Sequence, residues 1–206
     1  MKVGLFFMKD LVDLASAAAE PPADDFYEKV RPRLHRRIGR ELRLARRVLD
    51  IGCGACELAR YLAQTYHQDV TGVDVSSGSF PKRARSRASG RVRCIHRDAR
   101  RLDFIKDETI DAVVTMWALH EMAHPLDIVA EARRVLRPGG EILIVDFPKD
   151  SLAQRLWNED YFRPDQLTEM LQASRFSRVT TRLTERGQIL WGKGYRPEAT
   201  MGTGGP

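Results

Sequence analysis

The sequence predicts an α/β fold: a doubly wound, mostly parallel sheet with a reversed strand near its C-terminal end. Three observations carry this expectation. Short apolar runs ("RVLDI", "DVTGVDV", "VRCIHRD", "EILIVDF") alternate with amphipathic stretches along most of the chain, and such alternation implies right-handed crossovers with helices on both faces of a parallel sheet. "IDAVVTMWAL" is apolar almost throughout, as a strand covered on both faces must be. Finally, "SRVTTRL" and "QILWGKGY" are separated by only a few residues around Gly187, and so short a connection requires antiparallel pairing.

The elements follow in order. "MKVGLFFMKDLVDLASAAAE" has an early lysine and an apolar patch, but Lys9, Asp10 and Asp13 interrupt it, which a secretion signal tolerates poorly. It reads instead as an amphipathic helix with Leu5, Phe6, Met8, Leu11, Val12 and Leu14 mostly on one side, suited to packing, to a lid or to contact with a membrane surface. "EPPADD" breaks the chain, and Asp24 or Asp25 can cap a second helix from Phe26 to Leu44. "ACELARYLAQTY" follows the first strand as a helix, and "SSGSFPKRARSRA" holds the next, with Ser76 or Ser77 near its start. "PLDIVAEARRVL" is an amphipathic helix with proline in its first turn, stopped by "RPGG". "FPKDSLAQRLWNEDYFRP" is the least regular stretch, "RPDQLTEMLQASRF" is a helix, and "RPEATMGTGGP" reads as a disordered tail.

The 206 residues suffice for one domain with a real core. Three cysteines are too few, and odd in number, for a secreted disulfide framework, so a reducing, cytoplasmic setting is expected. No window approaches the ~18 consecutive apolar residues of a membrane span. A net charge of +6 weakly favours anionic partners: a carboxylate or phosphate substrate, anionic lipid or RNA. Arginines cluster from Arg31 to Arg47 and at Arg83, Arg85, Arg87, Arg91 and Arg93; few aromatics interleave with them, which argues against a base-stacking surface.

The stretch "VLDIGCGACELA" admits two readings. Cys53-Gly-Ala-Cys56 alone suggests a redox pair or half a metal site. In context it is the glycine turn between the first strand and its helix, where Gly52 and Gly54 allow close approach of backbone to ligand and the helix start offers free N–H groups. The second strand ends at Asp74, suited to the hydroxyls of a ribose, and Asp98 follows the third, suited to an adenine amino group. The ordered combination describes a nucleoside site. Glu57 stands where a dinucleotide fingerprint has its third glycine, and its negative charge disfavours a pyrophosphate while sparing a cationic sulfonium.

With "VLDIGCGACELA", "VTGVDVS", "RDARRLDF", "FIKDETIDAVVTMWALHEM" and "EARRVLRPGGEILIVDF", the chain resembles a class I S-adenosylmethionine-dependent methyltransferase across roughly residues 47–147. The resemblance implies a Rossmann-like, seven-stranded sheet. It implies a helical lid segment over residues 1–45, a cofactor-binding methyltransferase domain over 46–196 and a tail over 197–206. It assigns Asp50, Gly52, Cys53 and Gly54 to the loop beneath the methionine part of the cofactor. Asp74, with Val75, would hold the ribose, Asp98 with the Ala99 backbone would face the adenine, and Trp117 would line the methyl-transfer region. The product would be S-adenosylhomocysteine. Cys56 departs from the glycine that many members carry. No metal is expected, since Cys94 stands isolated on the third strand and supplies no further ligand.

Methyl transfer from a sulfonium needs mainly positioning, and a base only where the acceptor must lose a proton. His120, in "MWALHEMAHP", is the base candidate. Glu121 is suited to orient it or to bind a cationic acceptor, and Asp146, ending the fifth strand, faces the same edge. Trp157, Tyr161 and Phe162 are available to line an acceptor pocket, with Tyr27 covering it from the first helices. His124, before Pro125, reads as a capping or exposed residue. The leading expectation is methylation of a small-molecule acceptor, an anionic one being suggested by the net charge. Alternatives are methylation of RNA or protein, although no nucleic-acid module is visible, methylation of lipid at a membrane surface, and a non-catalytic cofactor-binding module.

Overall fold

The computed structural model describes residues 23–81 and 90–198. The proposed N-terminal amphipathic helix, Arg83, Arg85 and Arg87 with their helix, and the tail from residue 199 lie outside the described residues. Five helices are described: α1 (Ala23–Glu41), α2 (Glu57–Tyr66), α3 (Pro125–Val135), α4 (Leu152–Trp157) and α5 (Pro164–Ala173). The strands are β1 (Arg47–Ile51), β2 (Asp69–Asp74), β3 (Val92–His96), β4 (Ile110–Met116), β5 (Leu136–Asp146), β6 (Ser177–Thr184) and β7 (Ile189–Tyr195).

The strands form one sheet in the order β3-β2-β1-β4-β5-β7-β6. β1 to β5 are parallel, and β7 runs against both β5 and β6. The order reverses between β1 and β4, so their carboxyl ends diverge and leave a crevice; ligands of open α/β sheets bind at such a switch point.

Successive residues of the central strands point to opposite faces, and both faces are covered. Val48, Val114, Leu143 and Val145 join one core with α1 and α2, whereas Leu49, Val113, Ile142 and Ile144 join the other with α3 and α5. Tyr27, Val30, Leu34 and Ile38, spaced three and four apart along α1, are all buried in the first core. α1 is therefore part of the packed body, and its first turns also wall the crevice.

Several boundaries differ from expectation. α1 begins at Ala23, so Asp25 lies inside it and pairs with Lys29 at 2.9 Å rather than serving as a cap. β4 stops at Met116, before the end of the apolar run: Trp117 turns into the left-handed region (φ 58°), and a 3₁₀ turn, Leu119–Glu121, follows. "RPGG" stops α3 but belongs to β5, as a bulge that shifts the register from Ile110↔Leu136 to Ala112↔Glu141. The irregular stretch after β5 contains α4, whose Gln154 N–H donates to the Ser151 side chain at 3.5 Å.

Candidate active site

The crevice is built from the glycine turn outward. Gly52, at φ +71°, donates its N–H to Val73 O at 2.8 Å, and a Cβ there would meet the Ala118 Cβ at 2.4 Å. Only glycine lets the turn pass this close to the chain leaving β4. A Cβ on Gly54 would meet nothing within 4 Å, so this glycine borders open space. Its N–H donates to Asp74 Oδ2 at 2.8 Å, and Asp74 Oδ1 accepts from Ser76 N–H at 2.8 Å. One carboxylate thus ties the turn to the end of β2.

Cys56 takes the left-handed conformation (φ 55°) just before α2, which is where a glycine is easiest to place. Cys94, expected to stand alone, is disulfide-bonded to Cys56, with the Cα atoms 6.7 Å apart, and Cys53 Sγ lies 3.3 Å from Cys56 Sγ. The reason is Gly72. It pairs with Cys94 in the β2–β3 register, and with no side chain there the loop sulfurs reach across to β3. A Cβ on Gly72 would lie 2.8 Å from Cys53 Sγ and 3.2 Å from Cys56 Sγ. Gly72→Ala is accordingly expected to cost about 1–3 kcal/mol by overpacking, read as a lowered midpoint in urea. Cys53 is the free cysteine of the three. Burial, with the charges of Asp50 and Asp74, pushes its thiol well above the usual range, which keeps it protonated and poorly nucleophilic.

Three neighbouring hollows that share lining residues run along the crevice. The first, about 330 Å³, brings Gly52, Asp74, Val75, Asp98 and Ala99 together with Ala118 and Met122. Asp98 accepts a fork from Arg100 (Nη2–Oδ2 2.6 Å), which holds its carboxyl below the ordinary value. The second, also about 330 Å³, is lined by Asp50, Cys53, Gly54 and Trp117, with Arg31 and His35 opposite on α1. Asp50 is buried and its Oδ2 has no partner among the described residues. Burial, reinforced by the charge of Asp74, pushes its pKa up to about 7. A cation arriving above it would satisfy this oxygen and restore the ionised form.

The third hollow, about 410 Å³, holds Tyr27, Trp117, Phe147 and Trp157 together with Glu28, Arg31, His120, Glu121 and Glu159. His120 Nδ1 lies 2.7 Å from Asp146 Oδ1, and its backbone N–H donates to Asp146 Oδ2 at 3.1 Å. An ionised carboxylate only accepts, so Nδ1 carries a proton toward Asp146; Nε2 faces the hollow, carries a second proton when it donates to Glu159, and can act as a base only after losing it. Nε2 lies 3.2 Å from Glu159 Oε2 and 3.8 Å from Glu121 Oε1. Burial pulls the His120 pKa down, but the hydrogen bond to Asp146 and the nearby carboxylates outweigh it, and the net shift is upward. His120, Glu121 and Glu159 could jointly hold a metal ion by position, although two of the three are exposed carboxylates.

Of the residues expected at the site, Tyr161 is displaced. It sits behind His120, ring centroids 4.6 Å apart, and outside the third hollow. Tyr161 is buried there, and the next residue, Phe162, forms an isolated bridge with Pro148. His124 precedes α3 without a side-chain cap and borders the first hollow. Arg31, Glu28 and Glu159 were not anticipated. Arg31 lies four residues from Tyr27, hence on the same face of α1; Glu159 lies in "WNEDY" with no periodic signal.

The fold and its crevice are those of a class I methyltransferase. Residues 49–144 match the family model described as a methyltransferase domain. An uncharacterized methyltransferase of Mycobacterium tuberculosis is 30% identical over 145 residues, covering 70% of this chain and 68% of that protein. The 27-O-demethylrifamycin SV methyltransferase of Amycolatopsis mediterranei is 37% identical over 111 residues, 52% of this chain and 40% of that protein. The crystal structure of a Burkholderia thailandensis 1,6-didemethyltoxoflavin-N1-methyltransferase, with 1,6-didemethyltoxoflavin and S-adenosylhomocysteine bound, superposes with a TM-score of 0.65 at 24% identity, covering 85% of this chain and 87% of that one. The chain belongs to the class I S-adenosylmethionine-dependent methyltransferase family, whose cofactor is S-adenosylmethionine. It spans about half the length or less of the first curated relatives it matches. Among the described residues no helix is long and apolar enough to cross a membrane.

Proposed function

We propose that the protein transfers a methyl group from S-adenosylmethionine to a small-molecule acceptor held in the third hollow. The observation that carries this is the meeting of Gly52, Asp74 and Asp98 in one cavity that continues, past Asp50, to a separate aromatic chamber. The residues present fit the cofactor chemically. Asp74 would accept from the ribose hydroxyls while holding the Gly54 turn, with Val75 beside it. Asp98 and the Ala99 backbone would meet the adenine edge. The unpartnered oxygen of Asp50 would take the methionine ammonium, beside Cys53 and Gly54. When bound, the cofactor supplies an activated methyl group. Trp117, shared by the second and third hollows, is the wall between cofactor and acceptor. His120 Nε2 is the atom placed to take a proton from the acceptor, with Asp146 fixing its tautomer.

Residues 46–196 form the cofactor-binding unit in this reading, and the chain before residue 45 contributes the wall of the acceptor chamber through Tyr27. Small-molecule methylation is favoured over RNA because three carboxylates, Glu28, Glu121 and Glu159, line the chamber, and these repel phosphate. The test is titration of S-adenosylmethionine into the full chain by calorimetry. Asp74→Ala is expected to weaken binding at least 30-fold, about 2 kcal/mol for a lost charge-assisted bond. Binding undiminished in that variant would sink the assignment.

A further inference from the structure

The acceptor chamber has a chemical bias that the net charge of the chain conceals. Four aromatic rings close on one another: Tyr27 lies 4.8 Å from Phe147 and 5.4 Å from Trp157, and Phe147 stacks on Trp117 at 5.1 Å. Three carboxylates, Glu28, Glu121 and Glu159, share the chamber. Its cationic side chain, Arg31, is already engaged: it donates to Glu28 at 2.8 Å, reaches Glu57 at 3.6 Å and lies 5.4 Å from the centroid of the Trp117 ring. With Glu28 paired to Arg31, Glu121 and Glu159 leave a surplus of negative charge beside an aromatic wall, of which Trp157 is the exposed member. Aromatic faces with adjacent carboxylates attract an organic cation and repel a carboxylate or phosphate.

We infer that the acceptor is an organic amine, cationic when it binds, with its nitrogen held beside the aromatic wall of Tyr27, Trp117, Phe147 and Trp157 and its charge balanced by Glu121 and Glu159, Glu28 serving to keep Arg31 neutralised. This rests on the reading of the third hollow as the acceptor chamber. It reverses the sign of acceptor suggested by the surplus of arginines, because those outside the chamber do not line it. The chemistry balances with the residues in place. A primary or secondary ammonium passes one proton to neutral His120 Nε2. The freed nitrogen lone pair then forms the N–CH₃ bond as the S–CH₃ bond breaks, its electron pair remaining on sulfur to give S-adenosylhomocysteine. A tertiary amine needs no base once unprotonated.

The test uses the full chain saturated with S-adenosylhomocysteine, whose own binding is measured first by calorimetry. Choline, its uncharged carbon isostere 3,3-dimethyl-1-butanol, and benzoate are then titrated while tryptophan fluorescence is followed. Choline is expected to bind about tenfold more tightly than the isostere, the scale of a cation–π contribution, and benzoate more weakly than both. Glu28→Gln and Glu159→Gln should each weaken choline about three- to tenfold, leave the isostere within twofold, and leave S-adenosylhomocysteine unaffected. Equal binding of choline and isostere, or tighter binding of benzoate, would overturn the inference while the methyltransferase reading stands. So would saturable binding of Mn²⁺ at His120, Glu121 and Glu159 that excludes choline. Failure of S-adenosylhomocysteine itself to bind would overturn both.

Discussion

Replacing Asp50 with asparagine is expected to weaken S-adenosylmethionine binding by two to three orders of magnitude and, at the same time, to stabilise the ligand-free protein. Both effects follow from one buried carboxylate. Its side chain is shut away from water, Oδ2 has no partner among the described residues, and burial with the charge of Asp74 lifts its pKa from 3.8 to about 7. In the ligand-free fold at pH 8 the group is ionised against its preference. A carboxyl whose folded pKa lies above its unfolded one contributes stability that is present below the unfolded value and lost as pH rises through the folded value. Between pH 4 and 7 the ligand-free protein therefore loses on the order of 2–4 kcal/mol through this group, and asparagine, which has no charge to bury, avoids the loss. The expected signature is a melting temperature at pH 8 raised by about 5 °C or more, with a flatter dependence on pH.

The cofactor side has the opposite sign. A methionine ammonium is attracted only by the ionised form, and removing one partner of a buried charge pair costs about 3–5 kcal/mol. Affinity of the unsubstituted protein should rise as pH increases through about 7, the value burial gives Asp50, and then level off. In Asp50→Asn the rise should be absent. Calorimetry at pH 6, 7 and 8 reads this directly. An unchanged dissociation constant in the variant would show that the ammonium is held elsewhere.

How far the sequence reveals this site depends on how each residue is placed. Gly52, Asp74 and Asp98 were legible because parallel strands bring their carboxyl ends to one edge, so position along the chain implies position in the crevice. The strands were legible for a related reason: burial on both faces writes a continuous apolar run, as in β4 and β5. Where the apolar run overshot, at Trp117, hydrophobicity could not distinguish a strand residue from one turned into a pocket wall. Cys94 was misread because its partner is set by register rather than by spacing. Only the alignment of Gly72 with Cys94 exposes the gap through which the loop sulfurs reach β3. Glu159 had no signal, since a carboxylate in an irregular segment looks the same whether it faces solvent or His120. Arg31 was hidden by company: one arginine turned inward among many on an arginine-rich helix carries no mark in composition. The chamber's negative surplus was obscured in the same way, because net charge averages a surface and says nothing about a cavity.

His120→Ala is expected to lower kcat by about two to three orders of magnitude, the usual contribution of a positioned base, while leaving the S-adenosylmethionine dissociation constant within about twofold. The separation follows from geometry, since His120 lines the third hollow and neither of the other two. The pH profile distinguishes a base from a packing residue. His120 is flanked by Asp146 at Nδ1 and by Glu159 and Glu121 at Nε2, and against the opposing effect of burial these hold its proton more firmly than in free imidazole. It accepts a proton only after losing its own, so the rate should climb with pH through a value above the ordinary 6.5 rather than at it. Glu159→Gln removes one charge that holds the proton and should bring the limb to lower pH. Glu28→Gln, on α1 and without a contact to His120, should leave the limb in place even where it weakens acceptor binding. A limb that moved equally in both variants would belong to the acceptor's own nitrogen. Asp146→Asn should cost more than Glu159→Gln, because Asp146 also accepts from the backbone N–H groups of His120 at 3.1 Å and Phe147 at 2.9 Å. Losing it releases both the tautomer of the base and the wall of the chamber. A kcat left unchanged by His120→Ala would remove the base from the mechanism, and positioning alone would then have to account for the rate.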